Sequence, residues 1–255
     1  MTPRLTSVSA FVPAFNEAGS IAEVVDRLHR ALDRVAEIHE VIVVLHGGCS
    51  DGTDVIVRRL MRCDDRLSLV VQPRERPGYG VALRMGIQAA RHDYIFYTDA
   101  DNQFDPEEID RLVSLIDSCD LATGYRADRR DPLPRLVTAW VYNRLVDAAL
   151  GTGVRDVDCA FKLFRRSVFN AMELTCDTGL IDPEIVARAR QAGRAVLEVA
   201  VTHRPRTSGE AHFESNTRLG LPSPKVVWGI LAELWQLRRQ IREQARIHAA
   251  DTHRL

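Results

Sequence analysis

Short apolar segments alternate with amphipathic segments through the first half of the chain, and this alternation constrains the fold most strongly. The predicted strands cover residues 7–13, 40–45, 67–72, 94–97 and 121–125, and two further strands are predicted over residues 156–164 and 195–201. Between them, apolar residues recur every three or four positions, as in helices that pack one face on a sheet. Because neighbouring parallel strands need a crossover connection, the pattern predicts an α/β fold with a mainly parallel sheet flanked by helices.

Two of the predicted helices carry capping signals at their first turns. Ser20 and Glu23 have the spacing of a capping box, in which each side chain bonds a free backbone N–H. Further along, Asp105 is predicted as an N-cap, with Pro106 at the first helical position and Glu108 at the capping-box position. These signals predict short, well-ordered turns ahead of both helices.

Size and composition indicate a globular chain with one large core. With 255 residues, we expect a main domain over residues 1–220 and a C-terminal basic amphipathic helix over residues 221–255. A formal net charge of −1 gives no overall attraction to nucleic acid, and no such partner is expected. Five cysteines without a Cys-x-x-Cys spacing indicate neither a disulfide framework nor a zinc site. We therefore expect a cytoplasmic protein without signal peptide or membrane-spanning segment.

The apolar run of residues 94–97 leads directly into a turn that carries Asp99, Asp101 and Gln103. Because alternate residues of an extended chain point to the same side, these three side chains are expected to face one ligand. Open α/β sheets bind their ligands where inner strands end in this way. Hard oxygen ligands favour Mg²⁺ or Mn²⁺ over zinc. The alternative is a solvated loop with two aspartates by chance, which the position after an apolar strand disfavours.

Glycine-rich and basic loops supply further candidate contacts. Residues 46–53 follow a predicted strand, and their backbone amides can hold a phosphate or a nucleoside. Gly78 and Gly80 lack the third glycine of a dinucleotide motif and are weak evidence for such a site. Two basic loops suit phosphate oxygens, with solvated connections as the alternative. The candidate phosphate-binding residues are Arg126, Arg204, Arg206 and Ser208.

From Pro224 onward the sequence predicts one long helix with apolar residues at helical spacing and several arginines. Trp228 and Trp235 on a basic amphipathic helix are typical of peripheral contact with an anionic membrane, here the inner face. The alternative is a helix packed on its own domain or on a second subunit, as in a homodimer.

Taken together, the ordered motifs resemble the family 2 glycosyltransferases of the GT-A (Rossmann-like) fold. The closest resemblance is to the branch of dolichol-phosphate mannosyltransferases and bacterial polyprenyl-phosphate glycosyltransferases. The matching segments, in chain order, are residues 13–17 (PAFNE), 50–53 (SDGT), 99–103 (DADNQ), 156–164 and 204–209. Their combination is more specific than any one of them.

The resemblance extends from about residue 8 to residue 209 and implies roles for individual residues. It implies nucleotide-binding positions at Pro13, Ala14, Asn16, Glu17, His46, Asp51, Gly80, Asp99 and Ala100. It implies Asp99, Asp101 and Gln103 as metal ligands, and Arg126, Arg204, Arg206 and Ser208 on the acceptor side. The implied catalytic residues are Asp101, Asp158 and Asp182, although the helix-start sequence Asp182-Pro183 also predicts a plain N-cap.

The function implied by the resemblance is metal-dependent, inverting transfer of a sugar from a nucleotide-diphosphate sugar. A polyprenyl phosphate is the expected acceptor, and its anionic oxygen needs no strong base. A hydroxyl acceptor would need one, and Asp158 or Asp182 would then be the candidate. A non-catalytic protein that binds nucleotide sugars is the alternative from another class. An Asp-x-Asp phosphohydrolase is disfavoured because its motif normally lies near the chain start.

One departure from the family pattern concerns the donor base. After the second strand the family usually has two aspartates, one of which reads the base, whereas this chain has His46 and Gly47. A neutral imidazole nitrogen can accept a base N–H, but glycine cannot. The sequence therefore predicts weaker discrimination between uracil and guanine than the resemblance alone implies.

Overall fold

The computed structural model describes residues 4–127, 133–170, 172–205 and 224–252. Its strands are β1 Leu5–Ala14, β2 Ala36–His46, β3 Leu67–Gln72, β4 Tyr94–Thr98, β5 Leu121–Arg126, β6 Phe161–Arg165 and β7 Val196–Val201. Its α-helices are α1 Ile21–Val35, α2 Thr53–Met61, α3 Tyr79–Ala89, α4 Ile109–Ile116, α5 Leu133–Leu150, α6 Ile181–Gln191 and α7 Pro224–Thr252. Short 3₁₀ turns cover Pro106–Glu108 and Arg166–Phe169.

The seven strands form one sheet in the order β3-β2-β1-β4-β6-β5-β7. Four neighbouring pairs are parallel, and β6 runs antiparallel to both β4 and β5. The predicted α/β fold with a mainly parallel sheet is confirmed. Because β6 is reversed, the turn that precedes it lies at the same edge as the end of β4, where Thr98 pairs with Phe161.

The central strands are buried on both faces, as expected of inner strands in an α/β sheet. A row of aromatic rings crosses them: Phe11 stacks on Tyr97 at 5.3 Å between centroids, and Tyr97 stacks on Phe164 at 6.1 Å. Stacked rings of this kind add specific geometry to apolar burial. The row fixes the ring of Tyr97, whose hydroxyl reaches the candidate site described below.

Several local predictions need correction. The Ser20–Glu23 capping box is wrong, because Ser20 donates its hydroxyl to the Glu17 carboxylate at 2.7 Å and makes no side-chain cap bond. The N-cap at Asp105 is confirmed by a bond from the Glu107 N–H, at 3.1 Å.

Two predicted element starts were also wrong. The strand predicted over residues 156–164 begins only at Phe161, because residues 156–160 form the turn that reverses the chain. Asp182 is not the N-cap of α6, because the helix begins one residue earlier and Asp182 lies in its first turn.

The described part of α7 packs on the α/β body through Leu234, Leu237 and Ile241, all of which are buried. Polar contacts reinforce this packing, including a bond from the Thr178 hydroxyl to Glu233 at 2.7 Å. The division into residues 1–220 and 221–255 stays a prediction. Among the described residues, no helix combines the length and hydropathy that a bilayer crossing requires.

A buried histidine pair predicts acid sensitivity. His29 Nδ1 and His39 Nε2 lie 3.0 Å apart, and both residues are buried between α1 and β2, with Asp33, Asp64 and Arg66 around them. Burial, followed by His29 and Arg66, lowers the pKa of His39 to about 4. The unfolded chain therefore binds more protons between pH 6.5 and 4, so stability is complete above pH 6.5 and falls as the pH drops.

We expect the His39→Gln variant to lose less stability on acidification than the wild type. The difference should reach about 2–3 kcal/mol of unfolding free energy near pH 4.5. Urea unfolding followed across pH 4.5–7.5 measures it, with His92→Gln, outside the pair, as the control. Parallel pH profiles for the wild type and His39→Gln would contradict the assignment.

Candidate functional site

The predicted site residues converge at the edge of the sheet where β1, β2 and β4 end. Asn16 and Glu17 follow β1, His46 ends β2, and Asp99 and Asp101 follow β4. Because β6 is antiparallel, the turn before it brings Asp158 to this edge. The first turn of α6 adds Asp182, which meets the end of β4 through Tyr97. The location is the one at which open α/β sheets bind ligands.

Asp99 and Asp101 form a pair of carboxylates in a braced turn. Asp101 is buried and accepts the Gln103 N–H at 3.0 Å, while Asp99 accepts a bond from the Tyr79 hydroxyl at 3.3 Å. Asn102, directly after Asp101, has a left-handed backbone (φ 61°), and its side chain accepts a bond from Arg27 at 2.6 Å. The turn therefore holds both carboxylates at the ligand-binding edge of the sheet.

This pair lies in a crowded acidic environment. Burial raises the pKa of Asp99 to about 8, and the nearby carboxylates of Asp101 and Asp182 add to the effect. Within the described part of the chain, no three acidic, histidine or cysteine side chains converge as a complete metal site. Two crowded hard oxygen donors nevertheless fit Mg²⁺ or Mn²⁺, and Asp99 and Asp101 would hold such an ion together with ligands from outside the protein.

Gln103 and Arg204 connect the turn after β4 with the end of β7. The Gln103 side-chain amide donates to the Arg204 carbonyl at 3.0 Å, and the Arg204 N–H donates to the Gln103 carbonyl at 2.8 Å. The Arg204 guanidinium pairs with Asp105 at 2.7 Å. The role of Gln103 as a metal ligand stays a prediction, and the geometry adds a structural role beside it.

The first two loops are locked together by their own motif residues. Asn16 has a left-handed backbone (φ 54°), and its side chain accepts the Ser50 N–H at 3.0 Å. Asp51 accepts the Ala18 N–H at 2.8 Å and the Thr53 N–H at 3.0 Å. Of the other predicted nucleotide contacts, Pro13, Ala14 and Ala100 lie at this edge, at the end of β1 or in the turn after β4.

Gly80 has a packing explanation in the structure. Its N–H donates to the Asp177 carbonyl at 3.0 Å, and a Cβ at this position would lie 2.3 Å from the Cys176 carbonyl oxygen. Glycine therefore lets the start of α3 approach the chain before α6. The predicted nucleotide contact at Gly80 stays a prediction.

His46 differs from the expectation of a free acceptor nitrogen. Its Nδ1 accepts the Gly48 N–H at 2.9 Å, which places the proton of the neutral ring on Nε2. The ring also meets Phe15 edge to face at 4.8 Å. Sequence reasoning missed Phe15, although an aromatic residue inside a polar turn was a usable signal. The imidazole therefore presents a donor on its other nitrogen.

The acidic pair of the family pattern cannot simply be restored here. A Cβ on Gly47 would lie 2.4 Å from the Gln72 carbonyl oxygen. We expect Gly47→Asp to destabilise the fold by about 1–3 kcal/mol, because the backbone of β3 must shift. Thermal unfolding measures this, with Ser50→Asp, on an exposed residue of the same turn, as the control. Equal melting temperatures for both variants would contradict the steric argument.

Asp158 and Asp182 lie in different environments. Asp182 is buried, and its Oδ1 accepts bonds from Lys162 Nζ at 2.6 Å and from the Tyr97 hydroxyl. Asp158 is only half-buried and receives a long bond from the Tyr142 hydroxyl at 3.4 Å. Burial, with the charge of Asp182, raises the pKa of Asp158 to about 7. The charge of Asp182 is therefore balanced by Lys162, whereas the pKa of Asp158 lies near neutral pH.

The predicted acceptor cations are engaged in ion pairs. Arg126 forms two bonds of 2.6 Å with Asp156, and both side chains are largely buried. Arg126 is still close enough to the carboxylates to offset part of the rise in the pKa of Asp99 and Asp158. Arg206 and Ser208 lie outside the described residues.

Comparison with protein families identifies one matching model, that of "Glycosyl transferase family 2", over residues 9–172. The glycosyltransferase AglD of Haloferax volcanii is 35% identical over 242 residues, which cover 90% of this chain and 37% of that protein. The dodecaprenyl-phosphate galacturonate synthase of Rhizobium johnstonii is 30% identical, with 81% of this chain and 61% of that protein covered. An undecaprenyl-phosphate 4-deoxy-4-formamido-L-arabinose transferase of Pseudomonas syringae is 28% identical, with 81% and 60% covered. The chain thus spans less than two thirds of the length of each relative.

Solved structures show the same fold. The glucosyl-3-phosphoglycerate synthase of Mycobacterium tuberculosis in complex with UDP superposes with a TM-score of 0.65 at 17% identity, over 91% of this chain and 80% of that one. Its complex with Mn²⁺, UDP and phosphoglyceric acid gives 0.63 at 19% identity, over 92% and 76%. At this identity the likeness establishes the architecture alone.

Proposed function

The chain belongs to glycosyl transferase family 2, and we propose that it transfers a sugar, with inversion, from a nucleotide-diphosphate sugar to a polyprenyl phosphate. The observation that carries the proposal is the Asp99–Asp101 pair at the ligand edge of the sheet, where burial and the neighbouring carboxylates raise the pKa of Asp99. Relatives named for undecaprenyl- and dodecaprenyl-phosphate products support the lipid acceptor. Structural neighbours solved with UDP and Mn²⁺ or Mg²⁺ support the nucleotide and the metal.

Asp99 and Asp101 would hold the divalent cation, with Gln103 as the third predicted ligand. When bound, the ion supplies positive charge to the diphosphate oxygens as the bond to the sugar breaks. The loops after β1 and β2, locked together by Asn16 and Asp51, form the side on which the nucleoside would bind. Phe15 and His46 offer an aromatic edge and an N–H donor to its base.

The acceptor would approach on the side of Asp158 and Arg126. An anionic phosphate oxygen attacks the anomeric carbon directly, which inverts its configuration and needs no proton transfer. With a hydroxyl acceptor, Asp158 would accept the proton, because its pKa of about 7 suits a base at neutral pH. Asp182, held by Lys162 and Tyr97, is the poorer candidate.

The membrane-facing surface would be formed by α5 and α7, which pack against each other. Their exposed apolar side chains include Trp140, Trp228 and Trp235, at 61%, 73% and 63% exposure. Arg144 lies over Trp140 and Arg239 over Trp235, at 5.7 and 5.6 Å from the ring centroids. Tryptophan beside arginine suits the boundary between acyl chains and anionic headgroups. We propose peripheral contact with the inner face of the membrane through this surface.

A thermal-shift panel of UDP, GDP, dTDP and their common sugars, each with and without Mn²⁺, tests the donor side. Metal-dependent stabilisation is expected, and the best donor is then incubated with polyprenyl phosphate to detect the lipid-linked sugar. Binding without transfer or donor hydrolysis would favour the non-catalytic alternative. Absence of stabilisation by every nucleotide would refute the proposed donor site.

A further inference from the structure

Lys162 is enclosed in the core beside the candidate site, with none of its side chain exposed. Its ammonium lies within hydrogen-bond distance of four oxygens: Asp182 Oδ1 (2.6 Å), the Cys159 carbonyl (2.6 Å), the Val157 carbonyl (3.0 Å) and the Tyr97 hydroxyl (3.0 Å). A charged lysine is tolerated in a core only where acceptors surround its protons, and this one has a full set. The four oxygens come from β4, from the turn before β6 and from α6.

Two of these oxygens belong to the residues on either side of Asp158. The ammonium therefore fixes the backbone before and after the carboxylate, while the Asp158 side chain itself stays partly exposed. Asp182 supplies the negative charge that keeps the ammonium in place, with its own side chain almost fully enclosed. The two carboxylates therefore differ: Asp182 is the buried counter-ion of Lys162, whereas Asp158 remains accessible.

We propose that Lys162 is a positioning residue that aims Asp158 at the reacting centre by holding the Val157 and Cys159 carbonyls, with Asp182 as its buried counter-ion. The inference rests on the proposed function, and it assigns the two candidate carboxylates to different tasks. The choice of lysine supports it, because the sequence has only one other lysine, Lys225, among many arginines. A compact ammonium can donate hydrogen bonds to oxygens arranged around it in three dimensions, whereas a guanidinium donates only in its own plane.

The test replaces the ion pair as a unit, with Lys162→Met combined with Asp182→Asn, so that no buried charge is left unpaired. Amide hydrogen exchange should become faster in a peptide over residues 154–161 and stay unchanged in β1 and β2. In donor hydrolysis, where water is the hydroxyl acceptor and Asp158 accepts its proton, kcat should fall about 100-fold, as in Asp158→Asn, with the donor KM unchanged. Adding Asp158→Asn to the double variant should then lower kcat only a little further.

Lys162→Arg separates positioning from charge balance. It keeps a positive charge for Asp182, so a merely charge-balancing role would be rescued, whereas the positioning role predicts the same faster exchange and lower kcat. The matched control is Glu40→Gln with Arg91→Met, an ion pair at the opposite edge of the sheet, which should lower stability but leave kcat unchanged.

Wild-type kcat and exchange in either Lys162 variant would overturn the inference. If the wild type transfers no sugar, the proposed function fails instead, and hydrogen exchange alone decides whether Lys162 holds the segment.

Discussion

The Asp99→Asn and Asp101→Asn variants are expected to fold and to lose metal-dependent nucleotide binding. In the wild type, a saturating nucleotide at about 100 times its dissociation constant should add about 2.7 kcal/mol of stability. That corresponds to a rise in melting temperature of about 5–10 °C for a chain of this size. Neither variant should show it, and transfer should fall by about 1,000-fold or more, because several kcal/mol of charge stabilisation in the transition state are lost.

A second readout is whether Asp99→Asn raises or lowers the stability of the ligand-free protein. The pKa of Asp99 is raised, so the folded state binds more protons than the unfolded state between pH 4 and 8. Stability contributed by protonated Asp99 is therefore lost as the pH rises through this window. Asp99→Asn removes this loss, and we expect its melting temperature above pH 8 to exceed that of the wild type.

Asp93→Asn is the matched control, because Asp93 precedes the same strand at its other end and accepts bonds from Thr6 and Ser7. It should leave nucleotide binding intact. Wild-type stabilisation by nucleotide and Mn²⁺ in Asp99→Asn and Asp101→Asn would remove the metal assignment. Lower ligand-free stability of Asp99→Asn above pH 8 would show that its carboxylate is balanced by a partner.

The second large effect concerns the surface of α5 and α7. Replacing Trp140, Trp228 and Trp235 by serine should reduce binding to anionic vesicles by at least about 1,000-fold, since each tryptophan that enters the membrane contributes more than about 1.4 kcal/mol. Co-sedimentation with phosphatidylglycerol–phosphatidylcholine vesicles measures this, and rising salt should weaken wild-type binding because arginines accompany the rings. Nucleotide binding should be unchanged in the variant.

The control replaces Val55 and Val71, two exposed apolar residues of α2 and β3, by serine. It should bind vesicles like the wild type. The wild type could instead fail to bind vesicles and show a concentration-dependent mass that the tryptophan variant lacks. That result would assign the surface to contact with a second copy of the chain. Unfolding of the tryptophan variant would show that these rings are part of the core.

The sequence by itself determined the fold class and the family, because both are written in local patterns. Strand and helix periodicity placed every described strand within a few residues except the start of β6, and the motif order identified the family that the comparison confirmed. The Asp99–Asp101 turn was visible for the same reason, since an apolar strand and its polar end are neighbours in the chain.

Only the tertiary structure decided how partners distant in sequence share the charges of the site. Nothing near Asp182 in the sequence indicates Lys162 and Tyr97, which reach it because β6 is reversed beside β4. Likewise, the pairing of Arg126 with Asp156 depends on a contact across 30 positions. Local sequence patterns determine which side chains lie at the ligand edge of the sheet. Burial and long-range contacts determine which of these side chains carry charge. Such contacts exist only once the chain has folded.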